Sequence, residues 1–197
     1  MSDTAAISQV VLKERQGRDR GWFDQEAECF AEDSRVRISW FDGPGAEFVR
    51  QSRELFATGL RPVHRMSPPV VHVDGDRAVA EAPAEITVLH DFGGVEAYVV
   101  GYVRLLYRLR RLGDDWKIVF FDCIYERDSL VPVVHGEQVT VDRDVLSRFR
   151  RPYMYLGYHL HDVGSTVRDN LFGDDRPDEV EALYQEAFAW MRHKGDQ

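Results

Sequence analysis

The sequence predicts an α+β fold, with helices segregated on one face of a curved sheet. Apolar residues recur at helical spacing through most of the first sixty positions, and from Pro62 the period changes to two over four long stretches. The breaks between those stretches, "DGD", "DFGG" and "LGDD", are rich in residues that tolerate positive φ, as antiparallel turns require.

Taken in order, Ile7, Val10, Val11 and Glu14 mark a first helix whose pattern stops near Gly17. A second, short helix carries Phe23, Ala27 and Phe30 on one stripe. "SRVRISWF" alternates, with Val36, Ile38 and Trp40 on one side. "DGPG" then breaks the chain before a third helix lined by Phe48, Ser52, Leu55 and Phe56. Strands are expected near 62–74, 77–90, 95–112 and 115–127. Pro68-Pro69 lacks ladder N–H groups and marks a bulge or bend in the first of them.

Beyond about residue 130 the character changes. "VDRDVLSRFRRP" reads as a short helix stopped by Pro152. A last helix opens on Pro177 with Asp178 and Glu179 in its first turn, and Arg192 to Lys194 close it. Val180, Leu183, Tyr184, Ala187, Phe188 and Met191 form its apolar stripe, which must bury against this sheet or a neighbouring subunit.

The 44% hydrophobic and 12% aromatic content is that of a folded protein. A formal charge of -9 argues against the phosphate backbone of nucleic acid as a main partner. The N-terminal "MSDTAAISQVVLKERQGRDR" has no apolar run long enough for a signal peptide or membrane span, and Cys29 and Cys123 alone make no disulfide framework, so a reduced cytoplasm is expected. Arg104, Arg108 and Arg110, part of a basic run with Arg111, share one strand face and read first as a solvated outer surface, with an anionic ligand or subunit contact as the other reading.

"GPGAEF" (43–48) lacks the third glycine and parallel context of a dinucleotide site. His159 and His161 lack a complete metal ligand set, so no metal or cofactor is expected. Three histidines lie in the strand region. His72 sits at a strand end before the Asp-Gly-Asp turn and reads as structural. His90 closes the apolar face of Ala78, Ala80, Ala82, Ala84, Ile86 and Val88, where small side chains leave room for either a ligand or a helix. His64 shares parity with Met66, ahead of the double proline. An imidazole oriented by a carboxylate serves as an acid or base near neutral pH.

The segments "DRGWFDQEAECFAEDSRVRISWF" (19–41), "PVHRMSPPVVHVDGDRAVAEAPAEI" (62–86) and "YVRLLYRLRRLGDDWKIVFFDCIYERD" (102–128) resemble the SnoaL-like, nuclear transport factor 2-like superfamily. That resemblance spans roughly 5–130 and implies a cone-shaped α+β barrel, three helices on a strongly curved sheet, with 131–197 as a helical extension. Within it the chain is most similar to the scytalone dehydratase and dehydrochlorinase branch. The branch's Asp–His dyad falls on Asp19 and His64, and a second histidine falls near His90. Asp19 equally suits a cap before "GWFDQE". The dehydratase's tyrosine has Ile38 or Trp40 here, and its serine and asparagine fall on Val103 and Leu105, so the dehydratase's own substrate is not implied.

The expected function is cofactor-free acid–base chemistry, dehydratase or isomerase in type, on a small hydrophobic cyclic or aromatic molecule. His64 backed by Asp19 would be the base and His90 the acid or the polariser of a carbonyl or leaving oxygen, with Trp40, Tyr98, Tyr102, Phe120 and Asp122 as pocket candidates. The other reading is a non-catalytic carrier or accessory subunit. A dyad at a cavity floor favours the enzyme; a capping Asp19 and a solvent-facing His64 favour the carrier. The resemblance also implies self-association, with a homodimer expected.

Overall fold

The computed structural model describes residues 2–193. Helix α1 (Asp3–Arg20) starts at a Ser2 cap and ends at Gly21, whose φ of 71° supplies the left-handed turn. It therefore runs a full turn past Gly17. That glycine marks a close approach instead: a Cβ there would meet the Glu26 Cβ and the Trp22 carbonyl oxygen at 3.0 Å. The α2 helix (Phe23–Glu28) packs across it, and Phe30 opens strand β1 (Phe30–Ile38) rather than extending α2. "DGP" lies in a short strand, β2 (Phe41–Pro44), that the sequence reading missed. Helix α3 (Gly45–Ala57) follows.

Pro68-Pro69 divides the expected first strand into β3 (Val63–Met66) and β4 (Val70–Asp74), both antiparallel to β5 (Arg77–Asp91). Two long strands complete the sheet, β6 (Glu96–Leu112) and β7 (Asp115–Pro132). The order is β2-β1-β7-β6-β5-β3, with β1 parallel to β7 and the other pairs along this path antiparallel. The curved mixed sheet is open at β2 and β3 rather than closed into a barrel.

Helices pack on both faces. On the inner face, Ile7 and Val11 of α1 and Phe48 of α3 join Ala78, Ala80, Ala82, Leu105, Tyr107 and Phe121. The alanines thus make room for a helix. On the outer face, Val79, Leu106 and Ile124 are covered by Leu183 and Ala187 of the last helix, α6 (Pro177–Arg192). Its stripe closes on its own chain, so it no longer supports the dimer expectation. Lys194 lies outside the described residues.

The expected solvated arginine face is instead an ion-paired layer. Arg108 is buried and reaches Glu186 of α6 at 2.7 Å, and Arg104 joins Glu81 and Glu126 at 2.7 Å each. His72 packs edge-on against Phe188 at 5.2 Å. Before α6, a four-residue helix, α4 (Arg143–Leu146), ends well short of Pro152. It is followed by α5 (Met154–Asp162), which lies over the far end of β6 and β7. The Asp128 carboxylate accepts the first N–H groups of α5, from Tyr155 and Leu156, at 2.7 and 2.8 Å. The edge strand β8 (Phe172–Gly173) pairs with β7.

Candidate active site

Because α1 continues past Gly17, Asp19 stands at its end, facing β3. A carboxylate at a helix C-terminus opposes the macrodipole and needs donors. His64 supplies two: its ring Nδ1 lies 2.6 Å from Asp19 Oδ1, and its backbone N–H donates to Oδ2 at 2.8 Å. Asp19 does not cap α2, whose capping residue is Trp22.

An ionised Asp19 accepts from Nδ1–H, which fixes the tautomer and leaves Nε2 unprotonated, as an acceptor. Burial, opposed by the Asp19 bond and joined by the Arg15 charge, holds the His64 pKa below 6.5. The imidazole is therefore neutral at pH 7. Burial raises the Asp19 pKa, but the His64 bonds outweigh it and the carboxyl titrates below its usual range.

Behind the dyad lies a buried charged layer. Glu14, Arg15, Arg18 and Glu26 are almost fully inaccessible. Arg15 is gripped by Glu14 through Nε and Nη2, and the Tyr107 hydroxyl donates to Glu14 at 3.3 Å. Its guanidinium lies 4.9 Å from the Phe121 ring centre, and Nη1 is 3.4 Å from His64 Nε2.

Among the described residues, neither carboxylate oxygen of Glu26 has a hydrogen-bond partner. Burial, with the Glu14 charge, pushes its pKa up from 4.5 to about 8. The folded state holds this proton more tightly than the unfolded chain, so its stabilising effect is complete below pH 4.5 and lost as pH rises through about 8. Glu26→Gln is expected to leave stability unchanged at pH 4 and raise it by about 1–3 kcal/mol at pH 9. Urea midpoints at the two pH values check this.

The dyad opens on a cavity of about 840 Å³. Arg15, Arg18 and His64 line it on one side, with Trp40, Phe48, Leu105 and Phe121 as apolar walls. Thr58 and Leu60, after α3, line it too, and Leu156, His159 and Leu160 of α5 cover it. The cavity adjoins Ile86 and Val88 of β5, beyond the alanines that α1 occupies. Among the described residues no group of three His, Cys, Asp or Glu side chains is placed to hold a metal.

Of the pocket candidates, only Trp40 lines the cavity. Tyr98 and Tyr102 pair across with Leu89 and Glu85 on the outer face; Tyr98 is 38% exposed and Tyr102 lies under Arg127 at 4.8 Å. Phe120 is sandwiched between Arg108, at 3.8 Å, and Trp190. Asp122, 3% exposed, pairs with Arg37 at 2.8 Å beneath α6. The opposite parity faces inward, giving Leu105, Phe121, Cys123 and Tyr125. His90 is also displaced from the cavity. It lies four residues beyond Ile86, the partner of His64, about 13 Å along the strand. There its Nε2 bonds Asp162 of α5 at 2.6 Å and its ring packs on His159 at 4.6 Å.

Arg15 and Arg18 were missed, though a signal was present. Arg15 precedes Asp19 by four residues and Arg18 follows Val11 by seven, so all share the buried helix face.

A family model described as "SnoaL-like domain" matches residues 1–122. The chain belongs to the SnoaL-like family. This SnoaL-like chain is 30% identical over 168 residues to pea pathogenicity protein 2 of Fusarium vanettenii, covering 79% of the chain and 70% of that protein. Solved structures share the fold at lower identity. A hexachlorocyclohexane dehydrochlorinase aligns with a TM-score of 0.58 at 12% identity, over 70% of this chain and 94% of its own. A candidate scytalone dehydratase from Novosphingobium aromaticivorans aligns with a TM-score of 0.53 at 16% identity, over 71% and 96%. No helix among the described residues is long and apolar enough to cross a membrane.

Proposed function

We propose that the chain is a cofactor-free acid–base enzyme, of dehydratase or isomerase type, acting on a small hydrophobic cyclic or aromatic molecule. The observation that carries this is the Asp19–His64 pair at a cavity wall, with Nδ1 engaged at 2.6 Å and Nε2 3.4 Å from Nη1 of Arg15, which lines the same cavity. Nε2 takes a proton from carbon. Asp19 stabilises the imidazolium that forms, and the apolar walls exclude water from the intermediate. The dehydrochlorinase and dehydratase neighbours share the fold and support this class of chemistry. A carrier would need the cavity but not a buried, oriented base.

His90 is bound to Asp162 outside the cavity lining, so the acid role is reassigned: protonated His64 returns the proton to the leaving group or to another carbon. The test is turnover of a panel of cyclic ketones and chlorinated cyclohexanes by the native chain and by His64→Ala. Conversion that requires His64 is expected. Conversion unaffected by the substitution, or none across the panel, contradicts the reading.

A further inference from the structure

The geometry points to Arg15 as a further catalytic residue: its Nη1–H groups hold the substrate oxygen on which negative charge collects as His64 removes a proton from the adjacent carbon. This rests on the proposed role of His64, and it narrows the substrate to an enolisable carbonyl compound.

Three observations carry it. First, the guanidinium is fixed on two of its three nitrogens. Glu14 engages Nε and Nη2, the Tyr107 hydroxyl braces Glu14, and the Phe121 ring lies against the guanidinium. Only Nη1 remains uncommitted to a carboxylate. Second, Nη1 is aimed at the reacting nitrogen, 3.4 Å from His64 Nε2, and Arg15 lines the cavity there. At that length the contact is beyond a normal hydrogen bond and is readily exchanged for a shorter one to substrate. Third, Arg15 is only 4% exposed, so a fixed cation acts at low local dielectric without reorganisation.

The position also decides between substrate classes. In a one-step anti elimination of a halide, the leaving atom departs from the face opposite the base. A donor beside the base cannot follow it. In an enolisable carbonyl compound, the oxygen lies two bonds from the carbon losing its proton and stays within reach of the base's own side. The C–H bond breaks and its proton joins Nε2. The bonding pair becomes the C=C bond, and the C=O π pair moves to oxygen, facing Nη1. On collapse the carbonyl re-forms. His64 then returns its proton either to another carbon, an isomerisation, or to a departing β-hydroxyl, which leaves as water. Neither route changes the redox state or needs a co-reactant.

Phenolate anions imitate the charge and shape of such an enolate, so 4-nitrophenol and its ring-substituted analogues serve as probes, their ionisation read by absorbance. The native chain is expected to bind phenolate at least tenfold more tightly than phenol. Arg15→Met should remove that preference and Arg15→Lys keep part of it. Because Arg15→Met strands a buried Glu14, the paired variant Glu14→Gln/Arg15→Met leaves the layer's net charge unchanged and provides the folded control; it too should show no preference. An unchanged preference in the paired variant, preference for neutral phenol, or binding of neither form by the native chain overturns the proposal. So does a preference lost with Arg18→Met but kept without Arg15. The assay removes no proton from carbon, so His64→Ala should retain the preference. Failure of the base is thereby distinguished from failure of Arg15.

Discussion

Replacing His64 by alanine is expected to lower turnover by about 100- to 10,000-fold while leaving the chain folded. The size follows from the loss of a positioned base. The fold survives because the backbone N–H of residue 64, which holds Asp19 Oδ2 at 2.8 Å, is retained. The β3 pairing with Thr87, Ile86, Glu85 and Ala84 is likewise a backbone ladder. Asp19 Oδ1 loses its ring partner, at a cost of about 1–3 kcal/mol. Steady-state kinetics beside a thermal melt separate the two effects: kcat should collapse while the folded fraction at assay temperature does not.

Glu14→Gln is expected to carry the largest stability cost, about 3–5 kcal/mol. Glu14 is fully buried and forms the ion pair of Arg15, whose own side chain is nearly inaccessible. An amide in its place turns an NH2 donor towards a guanidinium donor and leaves the Arg15 charge uncompensated in the core. The penalty belongs to a broken pair, so Glu14→Gln/Arg15→Met should recover most of it. Urea unfolding of the two single variants and the double variant measures the coupling. An additive double variant would show that the two side chains do not act as a pair.

The fold was readable in outline because one face of each long strand carries a period of two, and because turn residues punctuate the strands. The ends of α1 and the faces of β6 and β7 were harder. Gly17 looked like a helix stop, yet its missing side chain lets α2 approach. The helix end that places Asp19 is Gly21. On β6 and β7 both faces are covered, one by α1 and α3 and the other by α6. Outward residues such as Leu106 and Ile124 are therefore as apolar as inward ones, and alternation no longer distinguishes cavity from exterior. That is why Tyr98, Tyr102, Phe120 and Asp122 were assigned to the wrong side.

The parity of His90 was right, but α5, some 70 residues later in the chain, claims it through Asp162. The pairing of Asp19 with His64 came from resemblance. The charges around it are spaced at three and four residues along α1, and their burial depends on α2 and the sheet closing over them.

The measurement that bears most directly on the central claim is the protonation state of the His64 ring, followed by imidazole nitrogen NMR from pH 5 to 8. The account requires a neutral ring at pH 7 with the proton on Nδ1, an unprotonated Nε2, and titration below pH 6.5. A ring that is cationic at pH 7, or one that carries its proton on Nε2, would contradict it.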